Sequence, residues 1–120
     1  MKYSLVTLSV PNADEYVKFF HDLMKMPIVA RRPTPDGELV FFGWEGEPQI
    51  ELVASQKHTD VIYSGFSIGF DVESLTKATA LMEENGYKLL RGPISPSPTV
   101  SFSFFRGPGG VEIELLEHKV

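Results

Sequence analysis

Two hydrophobic periodicities alternate along the chain. Residues 3–10, YSLVTLSV, form a β-branched apolar run that meets Pro11-Asn12, the pattern of a strand entering a turn. The spacing then changes. Ala13, Tyr16, Val17, Phe20, Leu23 and Met24 recur at i, i+3, i+4, i+7, i+10 and i+11, which predicts a helix with one apolar stripe. Asn12 is placed to cap it, Glu15 sits at the matching third position, and Pro27 ends it. Three extended stretches follow, Ile28–Arg32, Leu39–Trp44 and Gln49–Ala54, divided by the turn-forming runs Pro33-Thr34-Pro35-Asp36-Gly37 and Glu45-Gly46-Glu47-Pro48. Residues 55–61 are polar and unpatterned and read as a linker.

The same order then recurs. Tyr63–Val72 reads as a strand, and Leu75, Ala78, Thr79 and Met82 mark a helix with Ser74 as its cap and Asn85-Gly86 as its stop. Tyr87–Arg91, Val100–Phe105 and Val111–Glu117 complete the second set of strands. Val10 and Val72 end corresponding strands 62 residues apart, and Ile50-Glu51-Leu52 matches Ile113-Glu114-Leu115 at an offset of 63. The pattern predicts an α+β chain of two βαβββ modules in tandem, residues 1–56 and 62–120, within a single domain. Neither module is large enough to bury its own sheet face, so the two are expected to pack as a pseudo-symmetric pair.

Strand alternation sorts the faces. Val6, Leu8 and Val10 share one side of the first strand, and Leu5, Thr7 and Ser9 the other. Phe66, Ile68, Phe70 and Val72 oppose Gly65, Ser67, Gly69 and Asp71 in the same way. The bulky sides are expected to bury against the helices and the small, polar sides to line a concave surface. Ile50 and Leu52 go with the core, as do Val111, Ile113 and Leu115, which places Glu51 and Glu114 equivalently on the concave side. Polar-out alternation on a half-exposed sheet gives the same pattern without any function.

Composition narrows the classes. A chain of 120 residues with 42% hydrophobic and 22% charged residues has ordinary globular usage. Zero cysteines exclude a disulfide framework, a thiolate metal site and a cysteine nucleophile. A net charge of −5 argues against a phosphate-tracking nucleic-acid surface. No apolar run approaches the roughly 18 residues that span a bilayer, and the start carries no secretory pattern. The expectation is a cytoplasmic protein with a small-molecule partner, no nucleic acid and no membrane.

The chain resembles the vicinal oxygen chelate superfamily, the group of glyoxalase I, extradiol dioxygenases and the bleomycin- and fosfomycin-resistance proteins. The resemblance is carried by Val10-Pro11-Asn12 leading into Tyr16-Val17-Lys18-Phe19-Phe20, by Gln49-Ile50-Glu51-Leu52, by Phe70-Asp71-Val72-Glu73 and Glu84-Asn85-Gly86, and by the run from Gly107 to Leu115, similar to the family's D-P-x-G-x-x-I-E-L ending. It implies a curved mixed sheet around a cavity. It also implies a divalent metal held by one side chain from the first and one from the last strand of each module. The last-strand positions map onto Glu51 and Glu114. The first-strand positions map onto Leu5, which has no donor atom, and Ser67, whose hydroxyl is a poor ligand. Half the sphere is missing, so no metal and no cofactor is expected. His21, on the helix, His58, in the linker, and His118, beside the C-terminus, do not restore it.

Two readings of function follow. The first is a metal-free, small-molecule-binding protein, sequestering or resistance-type, whose cavity is lined by Leu5, Thr7, Glu51, Ser67 and Glu114 with the aromatics Trp44 and Phe102. Two carboxylates meeting without a metal would share a proton or hold a cation, which makes Glu51 and Glu114 the candidate catalytic residues. The alternative is a glyoxalase-like lyase or isomerase, or a dioxygenase-related enzyme, in which Glu51 and Glu114 bind a divalent metal. A third reading is an interaction domain whose exposed aromatics meet a protein partner. Arg31, Arg32, Arg91 and Arg106 lie near strand ends and suit an anionic group as well as they suit solvent. A homodimer is expected, since open sheet edges and surplus aromatics on Leu39–Trp44 and Val100–Phe105 call for cover.

Overall fold

The computed structural model describes residues 1–119, and the chain divides after Val61 into two compact units. In the first, β1 (Leu5–Val10) leads through a short helix α1 (Asp14–Val17) to β2 (Ile28–Thr34), β3 (Gly37–Phe42) and β4 (Gln49–Ser55). The second repeats this with β5 (Ser67–Asp71), α2 (Leu75–Glu84), β6 (Leu89–Ser97), β7 (Val100–Arg106) and β8 (Glu112–His118). Each unit carries its own four-stranded mixed sheet, ordered β1-β4-β3-β2 and β5-β8-β7-β6. The helical crossover sets β1 parallel to β4 and β5 parallel to β8, while the short turns make the remaining pairs antiparallel. The α+β reading with tandem βαβββ modules is correct.

Alternation places the core of the first module as expected. Leu8, Val10, Val40, Phe42, Ile50 and Leu52 are buried, each contributing about 1.5–3 kcal/mol of transfer free energy. Tyr16, Phe19 and Phe20 cover them. The helix itself departs from the spacing. Only Asp14–Val17 is α-helical, and Lys18–Leu23 continues as a π-helix, where Met24 N–H donates to the Phe19 carbonyl at 2.9 Å. The adjacent Phe19 and Phe20 are both fully buried, edge to face with centroids 5.1 Å apart. Ala13 rather than Asn12 occupies the cap position, although Asn12 Oδ1 still accepts from Glu15 N–H at 3.4 Å. Lys25, at φ 66°, reverses the chain ahead of Pro27.

In the second module Ser74 caps α2 as expected, its Oγ accepting from Lys77 N–H at 3.2 Å. Glu117 on β8 adds a cap from outside the helix by accepting from Leu75 N–H at 2.7 Å. The strand expected over Tyr63–Val72 begins only at Ser67, because Gly65 turns the chain at φ 83°. Phe66 is therefore exposed, and Ile68, Phe70 and Val72 are half-buried rather than core. The covering helix explains this: α2 buries only Leu75 and Met82, far less bulk than the three aromatics of the first module. β6 runs past Arg91, where the expected strand ends, to Ser97, with Pro93 following a cis peptide at Gly92 and with Pro96. As an edge strand it can carry prolines that donate no ladder bond. No helix is long and apolar enough to cross a membrane among the described residues.

Candidate functional site

On the sheet face away from the helices, parity brings Leu5, Thr7, Glu51 and Phe41 together in the first module. Thr7 and Glu51 are direct partners across the parallel β1–β4 ladder, and Phe41 lies opposite Glu51 on β3. Thr7 Oγ1 donates to Glu51 Oε1 at 2.7 Å. Leu5 sits one rung away opposite Gln49 and is half-buried. Trp44 stands apart from this set, on the loop after β3 and 41% exposed.

The second module holds its acid network on the neighbouring rung. Gly69, not a hydroxyl residue, faces Glu114, and a Cβ there would press on Leu116 Cδ1 at 3.2 Å while meeting Glu114 Oε1 at an ordinary 3.6 Å. Ser67 faces Glu112 instead and hydrogen-bonds its carboxylate. Arg91 Nη2 donates to the other oxygen of Glu112 at 3.0 Å while its guanidinium lies 4.3 Å from the centre of the Phe104 ring. Phe102 and Phe104 share this face edge to face, 5.7 Å apart, because β7 turns Ser101, Ser103 and Phe105 to the buried side. Glu112 and Phe104 are members that sequence reasoning left out of the site, and Arg91, read as suited to an anionic group, pairs with Glu112. The offset of 63 held one usable signal, since it equates Glu112 with Gln49 and thus Ser67–Glu112 with Leu5–Gln49.

The Ser67 hydrogen bond, aided by the hydrogen bond and charge of Arg91 and opposed by burial, holds Glu112 below the ordinary carboxylate range. A carboxyl group whose pKa is depressed on folding stabilises the fold above its unfolded value, and this is lost as pH falls through the folded value. Stability is therefore expected to drop below about pH 4.5, the unfolded reference for Glu112. Glu112→Gln should lower stability at neutral pH and flatten that acid limb, so that the two proteins converge at low pH. Urea unfolding at a series of pH values checks this, and parallel curves for the two proteins would refute it.

The donor set in neither module fits a catalytic divalent metal. Such sites need three or more convergent ligands. The first module offers Glu51, hydrogen-bonded to Thr7 and close to the donor-free Leu5. The second offers Glu114, with Glu112 committed to Ser67 and Arg91. His21 Nδ1 is 2.8 Å from the Met26 carbonyl and His118 Nε2 is 3.2 Å from Asp71 Oδ1, so neither is directed at these carboxylates. Two of the openings in the second module lie near these residues. One, of 370 Å³, has Tyr63, Phe66, Ser67, Leu90, Arg106 and Glu112 in its wall, and the other, of 600 Å³, runs between α2 and β6–β7 past Thr79, Ser95 and Ser101.

The fold and these positions can be set beside known proteins. The probable lactoylglutathione lyase of Synechocystis sp. is 27% identical over 119 residues, covering 92% of this chain and 90% of that protein. The glyoxalase I of Leishmania major, described as trypanothione-dependent, superposes with a TM-score of 0.82 at 22% identity, over 98% of this chain and 86% of that one. TnmS3, an antibiotic binding protein from Streptomyces sp. CB03234, does so with a TM-score of 0.73 at 17% identity, over 99% and 97%. A glyoxalase family protein from Bacillus cereus gives 0.79 at 18% identity, over 100% and 95%. Residues 2–115 match the family description itself, and with the duplicated βαβββ order this makes the chain a member of the Glyoxalase/Bleomycin resistance protein/Dioxygenase superfamily.

Proposed function

We propose that this protein binds a small molecule on the carboxylate-bearing sheet face and does so without a catalytic metal. The observation that carries the reading is the fate of the first-strand positions: Leu5 offers no donor, and the Ser67 hydroxyl is engaged by Glu112. The similarity to an antibiotic binding protein supports a sequestering or resistance-type role. The absence of cysteine suits the reducing cytoplasm. Protein purified without chelator is expected to carry no stoichiometric Ni, Zn, Co, Mn or Fe, and to leave the hemithioacetal of methylglyoxal and glutathione unconverted. A thermal-shift library should contain stabilising ligands. One tightly held metal per chain by elemental mass spectrometry, or turnover restored by nickel or zinc and removed by chelator, would overturn the reading. The second reading, a metal-dependent lyase using Glu51 and Glu114, is favoured by the similarity to the Synechocystis protein and would then take its place.

The protein is also proposed to be a homodimer. Val29 and Trp44 in the first module and Ile62 and Phe66 in the second are exposed large apolar side chains, and β2 and β6 are edge strands of their sheets. Trp44→Ala is expected to weaken dimerisation or ligand response more than it lowers stability. A monomer in sedimentation equilibrium at high micromolar concentration, with an unchanged ligand response in the variant, would refute this.

A further inference from the structure

We infer that the 370 Å³ cavity of the second module takes a carboxylate monoanion carried on an apolar or aromatic body, with Arg106 as the group that holds the charge. The inference rests on the small-molecule reading above and adds the class of ligand and its anchor. Three observations converge on it.

The first is charge. Glu112 in the cavity wall is already neutralised by Arg91 at 3.0 Å, whereas Arg106 makes no ion pair among the described residues. Arg106 also stands opposite Glu112 across the β7–β8 ladder and its charge favours the ionised carboxylate, so two guanidiniums act on one carboxylate. The net positive charge left beside the cavity repels amines and attracts a single negative charge. The second is placement. Arg106 ends β7, where its N–H donates to the Lys88 carbonyl at 3.0 Å and fixes the backbone. Its Nη1 lies 4.0 Å from where a Cβ on Gly110 would stand, so the guanidinium lies against the turn beside the cavity. A planar guanidinium so placed offers the paired donors that match a carboxylate. The third is the aromatic part of the wall. Tyr63 and Phe66 meet edge to face at 6.1 Å, and Phe66 remains 39% exposed although it is a large apolar side chain. A ligand ring or alkyl chain laid there would cover surface that the fold leaves wet, and the volume lies in the range of small-ligand sites.

The test is calorimetric titration of the full-length protein with phenylbutyrate, phenylbutylamine and phenylbutanol, three probes that share a body and differ in charge. Phenylbutyrate is expected to bind at least about tenfold more tightly than the other two, the range of one charge-assisted hydrogen-bond pair. Arg106→Gln should remove that preference. Arg32→Gln, the same charge change at an exposed position on β2 that makes no ion pair among the described residues, should keep it. The inference is overturned if phenylbutyrate does not bind, if the amine binds as well, or if the preference survives Arg106→Gln. Its failure is separable from that of the broader reading. A library ligand that binds wild type and Arg106→Gln alike removes the anion assignment and leaves small-molecule binding standing. A library without any ligand removes both.

Discussion

Gly37→Ala is expected to cost roughly 3 kcal/mol or more, because no atom near the new methyl group can yield without moving a strand. Gly37 opens β3 opposite Ser55, and a Cβ there would overlap the Ala54 carbonyl oxygen and stand 2.7 Å from its carbonyl carbon. Those atoms belong to the backbone of β4, the strand that carries Glu51. The loss should appear as a lower urea midpoint with an unchanged slope. Gly46→Ala supplies the comparison. Its φ of 81° carries a cost of about 1–2 kcal/mol, but nothing lies within 4 Å of its Cβ. If Gly37→Ala proved no worse than Gly46→Ala, the close approach of β3 to β4 would be wrong.

Phe20→Ala is expected to cost about 3–5 kcal/mol, a large share of the stability of a domain this size. The ring is wholly buried, 5.1 Å from Phe19 and 5.7 Å from Phe42. Removing it opens a cavity between the π-helical turn and β3 that neighbours anchored on both sides cannot refill. Phe20→Leu should restore most of the loss. Calorimetric melting of the three proteins checks the order, and a Phe20→Ala variant melting within a few degrees of wild type would show that the first-module core lies elsewhere.

The spacing of residues revealed whatever depends on alternation alone. Leu8 and Val10, Ile50 and Leu52, and Ile113 and Leu115 are buried as their parity requires, and Glu51 and Glu114 lie on the other side. Hydrogen-bond register has no such signature. The passage into a π-helix at Lys18 is invisible in a stripe that counts only Phe20, yet it accompanies the burial of Phe19 as well. The site shows the same division. Thr7 and Ser67 were identifiable as face residues, but their carboxylate partners follow from the parallel register. Arg91 reaches Glu112 and Phe104 from β6, whose pairing with β7 shifts three times along its length, and periodicity holds no record of those shifts. The extended stretch expected over Leu39–Trp44 stops short of Trp44, because β3 ends at Phe42.

The parallel pairing of first strand with last has a consequence for how each module comes into being. Thr7 meets Glu51 across 44 residues of chain, and Ser67 meets Glu112 across 45. The hairpins β2–β3–β4 and β6–β7–β8 join neighbours, so they can form while β1 or β5 is still waiting. During synthesis each carboxylate acquires its hydroxyl partner only when the final strand of its own half has left the ribosome, and the amino-terminal half reaches that point while the other is still being made. A nascent chain that has emerged through Ser55 thus has every residue needed for the Thr7–Glu51 rung, whereas one that has emerged only to a point before Glu112 leaves β5 unpaired and open to the wrong strand.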